Sequence, residues 1–240
     1  MKPPVLFVVV AFWLACSLPA TATENLPKPI DNRSSLEICK KPRGRSQFEL
    51  NMVLKEQISF GNFVGFPAKK VESCEEFMAI MKTKKTFFLN MQEDPLYDID
   101  NLALLNDFVQ LERISLLSVP VTDLNFVKKM INLKALEVNK GHVTSLEPLR
   151  GLTQLEIIDI QNNNITDLSP LKNLKNLKML NLGGNPIHDI SVLKELPNIK
   201  YLILYDVPAT DFTPLKGRKF EQLYVPENDV INGKDDRLLF

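Results

Sequence analysis

The chain has 240 residues, 45% hydrophobic and 24% charged, proportions that exclude wholesale disorder. Its formal net charge is zero, which argues against a nucleic-acid or other polyanion binder working through bulk electrostatics. The charge is unevenly placed: 12 basic and 7 acidic residues from Lys28 to Lys85, then 16 and 21 from Thr86 to Phe240.

Residues 1–22 read as an export signal. Lys2 supplies a positive start, Val5 to Ala15 is an unbroken apolar run, and Ala20-Thr21-Ala22 has the small-x-small form that signal peptidase accepts. The run is too short to span a bilayer comfortably, so cleavage after Ala22 is expected, with no membrane insertion afterwards. An uncleaved anchor and a lipidated Cys16 are the alternatives. The expected destination is outside the cytoplasm, periplasmic or secreted. Cleavage leaves Cys39 and Cys74, an even count that in an exported chain suggests a disulfide, with two buried free thiols as the alternative.

Residues 23–85 read as a flexible lead-in, to about residue 35, and then an N-terminal cap. The run Lys40-Lys41-Pro42-Arg43-Gly44-Arg45 reads as a solvated basic loop. Alternating Phe48, Leu50, Met52 and Leu54 predict a half-buried strand, and Phe60, Phe63 and Phe66 predict packing. Ser73-Cys74-Glu75-Glu76 is a capping box opening a helix whose buried face is Phe77, Ile80 and Met81. A cap is needed because the first turn of a repeat array otherwise exposes its core.

Residues 86–240 carry an internal repeat. Leu155, Ile158, Ile160, Asn163 and Ile165 fit L-x-x-L-x-L-x-x-N-x-L, and Leu177, Leu180, Leu182, Asn185 and Ile187 restate it 22 residues later. The same step reaches Leu133, Leu111 and Ile199, and a 21-residue step reaches Phe220, Leu223, Val225, Asn228 and Val230. A degenerate first copy places Leu89, Met91 and Leu96 at equivalent positions, making about seven turns. Asp123-Leu124, Asp167-Leu168, Asp189-Ile190 and Asp211-Phe212 recur at 22 residues or its multiple in the second half of the copies, where Glu147-Pro148-Leu149, Ser169-Pro170-Leu171 and Thr213-Pro214-Leu215 also stand. There a hydroxyl oxygen could cap a helical turn and Pro costs no hydrogen bond. Each copy is therefore a short strand, a corner and a helical or 3-10 return: an α/β solenoid whose stacked leucines form one core.

The pattern resembles the 22-residue leucine-rich repeats of the internalins and related bacterial proteins. That resemblance implies a curved right-handed solenoid with parallel strands on a concave, ligand-binding face. It also implies that Asn163, Asn185 and Asn228 are corner residues whose side chains bond to backbone. Asp94, Val119, Gly141 and Val207 depart from the corner pattern, so local irregularity is expected there.

Chemistry is poorly provided for. The mature chain has two histidines, His142 and His188, without metal-ligand spacing, and no metal, cofactor or enzymatic activity is expected. Strand alternation instead points Glu137, Asn139, Ile157, Asp159, Gln161, Met179, Asn181, Tyr201, Ile203, Tyr205, Gln222 and Tyr224 away from the core. Ile157, Met179, Tyr201, Ile203, Tyr205 and Tyr224, bordered by Glu137 and Asp159, have the composition of an interface hot spot. Truncating Tyr201 or Tyr205 should then barely move the melting temperature. A monomer that binds an unidentified protein is the expectation; a structural or inhibitory envelope protein without a discrete ligand is the alternative.

Overall fold

The computed structural model describes residues 34–41, 73–90, 102–225 and 230–231. The export signal, Pro42 to Arg45, the strand expected at 48–54, Phe60, Phe63, Phe66, Met91, Asp94, Leu96 and corner Asn228 lie outside the described residues.

Eight strands form one sheet in chain order. They are β1 (Thr86–Asn90), β2 (Arg113–Leu117), β3 (Ala135–Asn139), β4 (Ile157–Asp159), β5 (Met179–Asn181), β6 (Tyr201–Ile203), β7 (Gln222–Tyr224) and β8 (Val230–Ile231). The first seven run parallel. Parallel neighbours require a crossover, and 3-10 segments such as Asn125–Val127, Ser169–Asn173 and Ser191–Glu195 lie between the strands. This is a leucine-rich-repeat solenoid. Ile114, Leu136, Ile158, Leu180, Leu202 and Leu223 are register partners in one column, all fully buried. Each contributes roughly 1.5–3 kcal/mol through burial.

The ends differ from the expected repeat. In β1 it is Phe87 and Leu89 that pair with Ile114 and Leu116, two residues earlier than Leu89 and Met91. A two-residue shift keeps the same side chains facing inward, so alternation alone could not distinguish the registers. At the other end Val230 does not fill a seventh turn. It lies in β8, which returns antiparallel along β7 and pairs with Tyr224. An antiparallel return places a strand on the last edge of the parallel sheet.

The first turn is covered by two helices, α1 (Ser35–Lys40) and α2 (Cys74–Lys82). The lead-in expected to about residue 35 thus ends in a helix that composition did not reveal. Ser34 and Glu37 form its capping box, and Ser73 Oγ accepts the Glu76 N–H that starts α2. Ile38, Phe77 and Met81 are fully buried beneath the helices, and Phe77 meets Phe108 of the first turn edge-on at 6.1 Å. A disulfide joins Cys39 to Cys74, beside the Lys40–Glu75 ion pair. The Ser35 N–H donates to Asp107 (2.6 Å) while the Asp107 N–H donates back to Ser35 Oγ (3.1 Å), fastening α1 to the solenoid.

The 3-10 segments are not capped by the Ser or Thr before proline. Asp123, Asp167, Asp189 and Asp211 each accept the backbone N–H two residues on, at 2.7–2.9 Å, and Ser169 Oγ donates to Asp167 instead. A carboxylate is the stronger acceptor for a free amide, which explains why Asp recurs there.

Corners are built by asparagine where it is present. Asn163 Oδ1 accepts from the Val143 N–H, and its Nδ2 donates to the Val138, Ile160 and Gln161 carbonyls. Asn185 repeats this with the Ile165 N–H and the Ile160, Leu182 and Gly183 carbonyls. The irregularity expected at Val119, Gly141 and Val207 is absent from the backbone bend itself. Ser118, Lys140, Asn162, Gly184 and Asp206, each one residue before the corner, all hold left-handed φ between 52° and 67°. Val119 and Val207 turn inward and are buried. Gly141 makes room for the next corner, since a Cβ there would lie 2.8 Å from Asn163 Oδ1. Lys140 is exposed and holds a conformation natural to glycine. Lys140→Gly is therefore expected to raise the unfolding free energy by about 0.5–1 kcal/mol in urea titration, after the entropy glycine loses is subtracted.

Candidate partner-binding face

The register turns the outward residues into columns. In one, Ile157, Met179 and Tyr201 are successive partners across β4, β5 and β6, preceded by Ala135 and followed by Gln222. In the next, Glu137, Asp159, Asn181, Ile203 and Tyr224 are successive partners. Parallel strands lie about 4.8 Å apart, so neighbours in a column touch along their length. Ile157, Met179, Tyr201, Ile203, Tyr205 and Tyr224 are accordingly half-buried. Asn181 is only 4% exposed, a correction to its expected exposure, and its Oδ1 accepts the Gly183 N–H. The apolar and aromatic group is thus continuous across four strands.

Tyr205 differs from the other tyrosines. Its ring packs against Gly183, where a Cβ would come within 2.5 Å of three ring carbons. Its hydroxyl donates to Gln161, and the Asn162 amide donates to that hydroxyl at 3.4 Å. Truncating Tyr205 would remove packing as well as exposed area, so it is unsuitable as a probe of binding alone. The signal that could have located this seat is Gly183, a glycine 22 residues before Tyr205 in the same column. Tyr201 remains half-buried, its hydroxyl bonded to Glu221, which holds that hydroxyl above its ordinary pKa.

The charges along the sheet are mostly matched between neighbouring turns. Glu112 pairs with Lys134 (2.8 Å) and Lys85 (3.2 Å), Glu156 with Lys178 (2.7 Å) and Glu221 with Lys200 (2.8 Å). Hydrogen bonds from these lysines hold the three carboxyls below the usual range. Arg113, not singled out from sequence, reaches Glu137 at 3.0 Å. Asp159 is the exception. Burial pushes its carboxyl up, with Glu137 adding to this, against bonds from the Gln161 N–H and the Asn181 and Asn139 amides. With its amide turned to donate, Asn139 lies 2.8 Å from Asp159 Oδ1.

Two family profiles, "Leucine Rich repeats (2 copies)" over residues 131–173 and "Leucine rich repeat" over residues 153–206, match the chain. Residues 131–206 are therefore leucine-rich repeats. They are internalin-like. An internalin structure from Listeria monocytogenes is 28% identical and covers 72% of this chain and 49% of its own, with a TM-score of 0.57. A second Listeria structure, internalin C2, is 32% identical over 50% of this chain and 54% of its own, with a TM-score of 0.48. The chain thus spans about half the length of the internalins it matches. The ectodomain of the plant receptor kinase GASSHO1/SCHENGEN3 from Arabidopsis thaliana shares the fold at 18% identity. It covers 63% of this chain and 19% of its own, with a TM-score of 0.51, and was solved in complex with Casparian strip integrity factor 2. No curated protein matches the chain. Leucine-rich-repeat domains commonly mediate protein–protein interaction.

Proposed function

We propose that the chain is an exported, non-enzymatic binding module that recognises one protein partner through the concave face of its C-terminal turns. The observation that carries this reading is the contiguous column of Ile157, Met179 and Tyr201 beside Ile203 and Tyr224, on the sheet face opposite the leucine core. Apolar groups of this extent on a solvent face serve neither the core nor solubility, and a partner surface accounts for them. Export is supported by the N-terminal apolar segment and by the Cys39–Cys74 disulfide, which an oxidising compartment preserves. Both histidines are exposed, which supports the non-enzymatic reading. Residues 1–22 would be the signal, 23–85 the lead-in and cap, and 86–240 the repeats, the mature protein acting as a monomer.

The test begins with the purified chain as bait in an envelope extract and identification of what it retains. The retained protein is then titrated against Tyr201→Ala and Met179→Asp. Both are expected to weaken binding about tenfold or more, with melting temperatures close to that of the parent. Unchanged affinity in both variants overturns the reading.

A further inference from the structure

We propose that Asp159 is the receptor for a single lysine or arginine of the partner, presented beside a large apolar residue that packs on Ile157 and Met179. This inference rests on the concave-face reading and specifies the chemistry of what docks there.

The argument is one of incomplete matching. Glu112, Glu156 and Glu221 each receive a lysine from an adjacent turn, and Glu137 receives Arg113. Asp159 has Glu137 on one side of its column and Asn181 on the other, and no described residue forms an ion pair with it. Among the described residues it is bound through neutral donors: the Gln161 N–H at 3.4 Å, Asn139 at 2.8 Å and Asn181. Those donors hold the carboxylate in place without cancelling its charge. A half-buried carboxylate left unneutralised is costly to a fold, and a charged partner group is what it fits.

The apolar neighbour follows from geometry. Ile157 lies two residues before Asp159 on the same face of β4, and Met179 pairs with Ile157 on β5. Strand dimensions place these side chains roughly 7–8 Å from the carboxylate, the reach of one residue next to a basic side chain. Arginine or lysine can lay its aliphatic stem on Ile157 while the head reaches Asp159.

The carboxylate also bears on stability, with a definite sign. Its folded pKa is raised, chiefly by burial, so at neutral pH ionisation costs stability. The cost fades as pH falls through the folded value and is gone below the ordinary aspartate value of about 3.9. Asp159→Asn is therefore expected to melt higher than the parent near pH 7 and to lose that advantage near about pH 3.

The experiment is selection of a random displayed linear peptide library on the disulfide-intact chain, with the winners synthesised and titrated. Enriched peptides should carry a lysine or arginine next to an aromatic or aliphatic residue. They should bind Asp159→Asn about tenfold or more weakly, Asp159→Glu retaining part of the affinity. Peptides that lack a basic residue yet are sensitive to Met179→Asp overturn the inference and leave the concave-face reading standing. Peptides indifferent to Met179→Asp overturn both. A library that yields no binder overturns the inference.

Discussion

Asn185→Leu is expected to lower the unfolding free energy by roughly 3 kcal/mol or more, the largest effect of a single substitution at the corners. The side chain is 1% exposed, and its amide accepts one backbone N–H and donates to the Ile160 and Leu182 carbonyls, each at 2.9 Å. Leucine fills comparable volume but leaves the Ile165 N–H and those carbonyls facing apolar atoms, at about 1–3 kcal/mol for each group that finds no substitute. The loss is not confined to one turn, because Asn185 bonds back to Ile160 in the preceding repeat. Urea unfolding measures it. Asn164→Leu is the control, since Asn164 is exposed beside a corner and should shift stability by no more than about 0.5 kcal/mol. Equal curves for the two variants would show that the buried amides are dispensable. Asn185 faces the core, so the affinity of the folded protein for a partner should not change.

Removing the disulfide should cost a similar amount by a different route. The bond links residues 35 positions apart, and the chain-entropy argument assigns such a loop on the order of 3–4 kcal/mol, before any native strain is subtracted. In the folded state Cys39→Ser with Cys74→Ser leaves α1 held by the Ser35–Asp107 exchange and by buried Ile38. The double variant should melt lower than the parent, and a reductant should lower the parent's melting temperature while leaving the variant unchanged. Non-reducing peptide mapping of exported material should recover one Cys39–Cys74 linked pair. Recovery of both cysteines as freely alkylated thiols would refute the bond.

The solenoid was legible because its information is redundant. Leu136, Ile158, Leu180 and Leu202 repeat one message at a fixed step, so an ambiguous position in one copy is corrected by the next. The ends lack that redundancy. Phe87 replaces the aliphatic consensus in β1, and the two-residue ambiguity of alternation left its register open. Helix α1 is too short for a periodic signature, and only Ser34 with Glu37 marks it. The left-handed residue before each corner was hidden for a different reason. Ser118, Lys140, Asn162 and Asp206 share a conformation but not a residue type, because the fold rather than local preference imposes the bend. At the candidate face, strand alternation set the outward residues apart from the leucine column of the same strands. It could not show which of them neighbouring turns would cover, because coverage depends on the adjacent residue in the column. Asn181 and Tyr205 are the two instances.

Tyr205 has a mechanical consequence. Its ring rests on the turn before its own and its hydroxyl reaches Gln161 two turns back, so one side chain spans three successive repeats. A stack of similar turns bends at every joint, and each joint's freedom is lost when a rigid partner lies across it. A strap over β4, β5 and β6 removes part of that freedom in the unbound protein, where Ile157, Met179 and Tyr201 stand in line. A partner docking there would meet a surface whose curvature is already set, with less ordering entropy to oppose it. Loosening the strap with Tyr205→Phe keeps the ring on Gly183 and removes only the hydroxyl tether. Its effect would then appear in the entropy of association rather than in the contacts made.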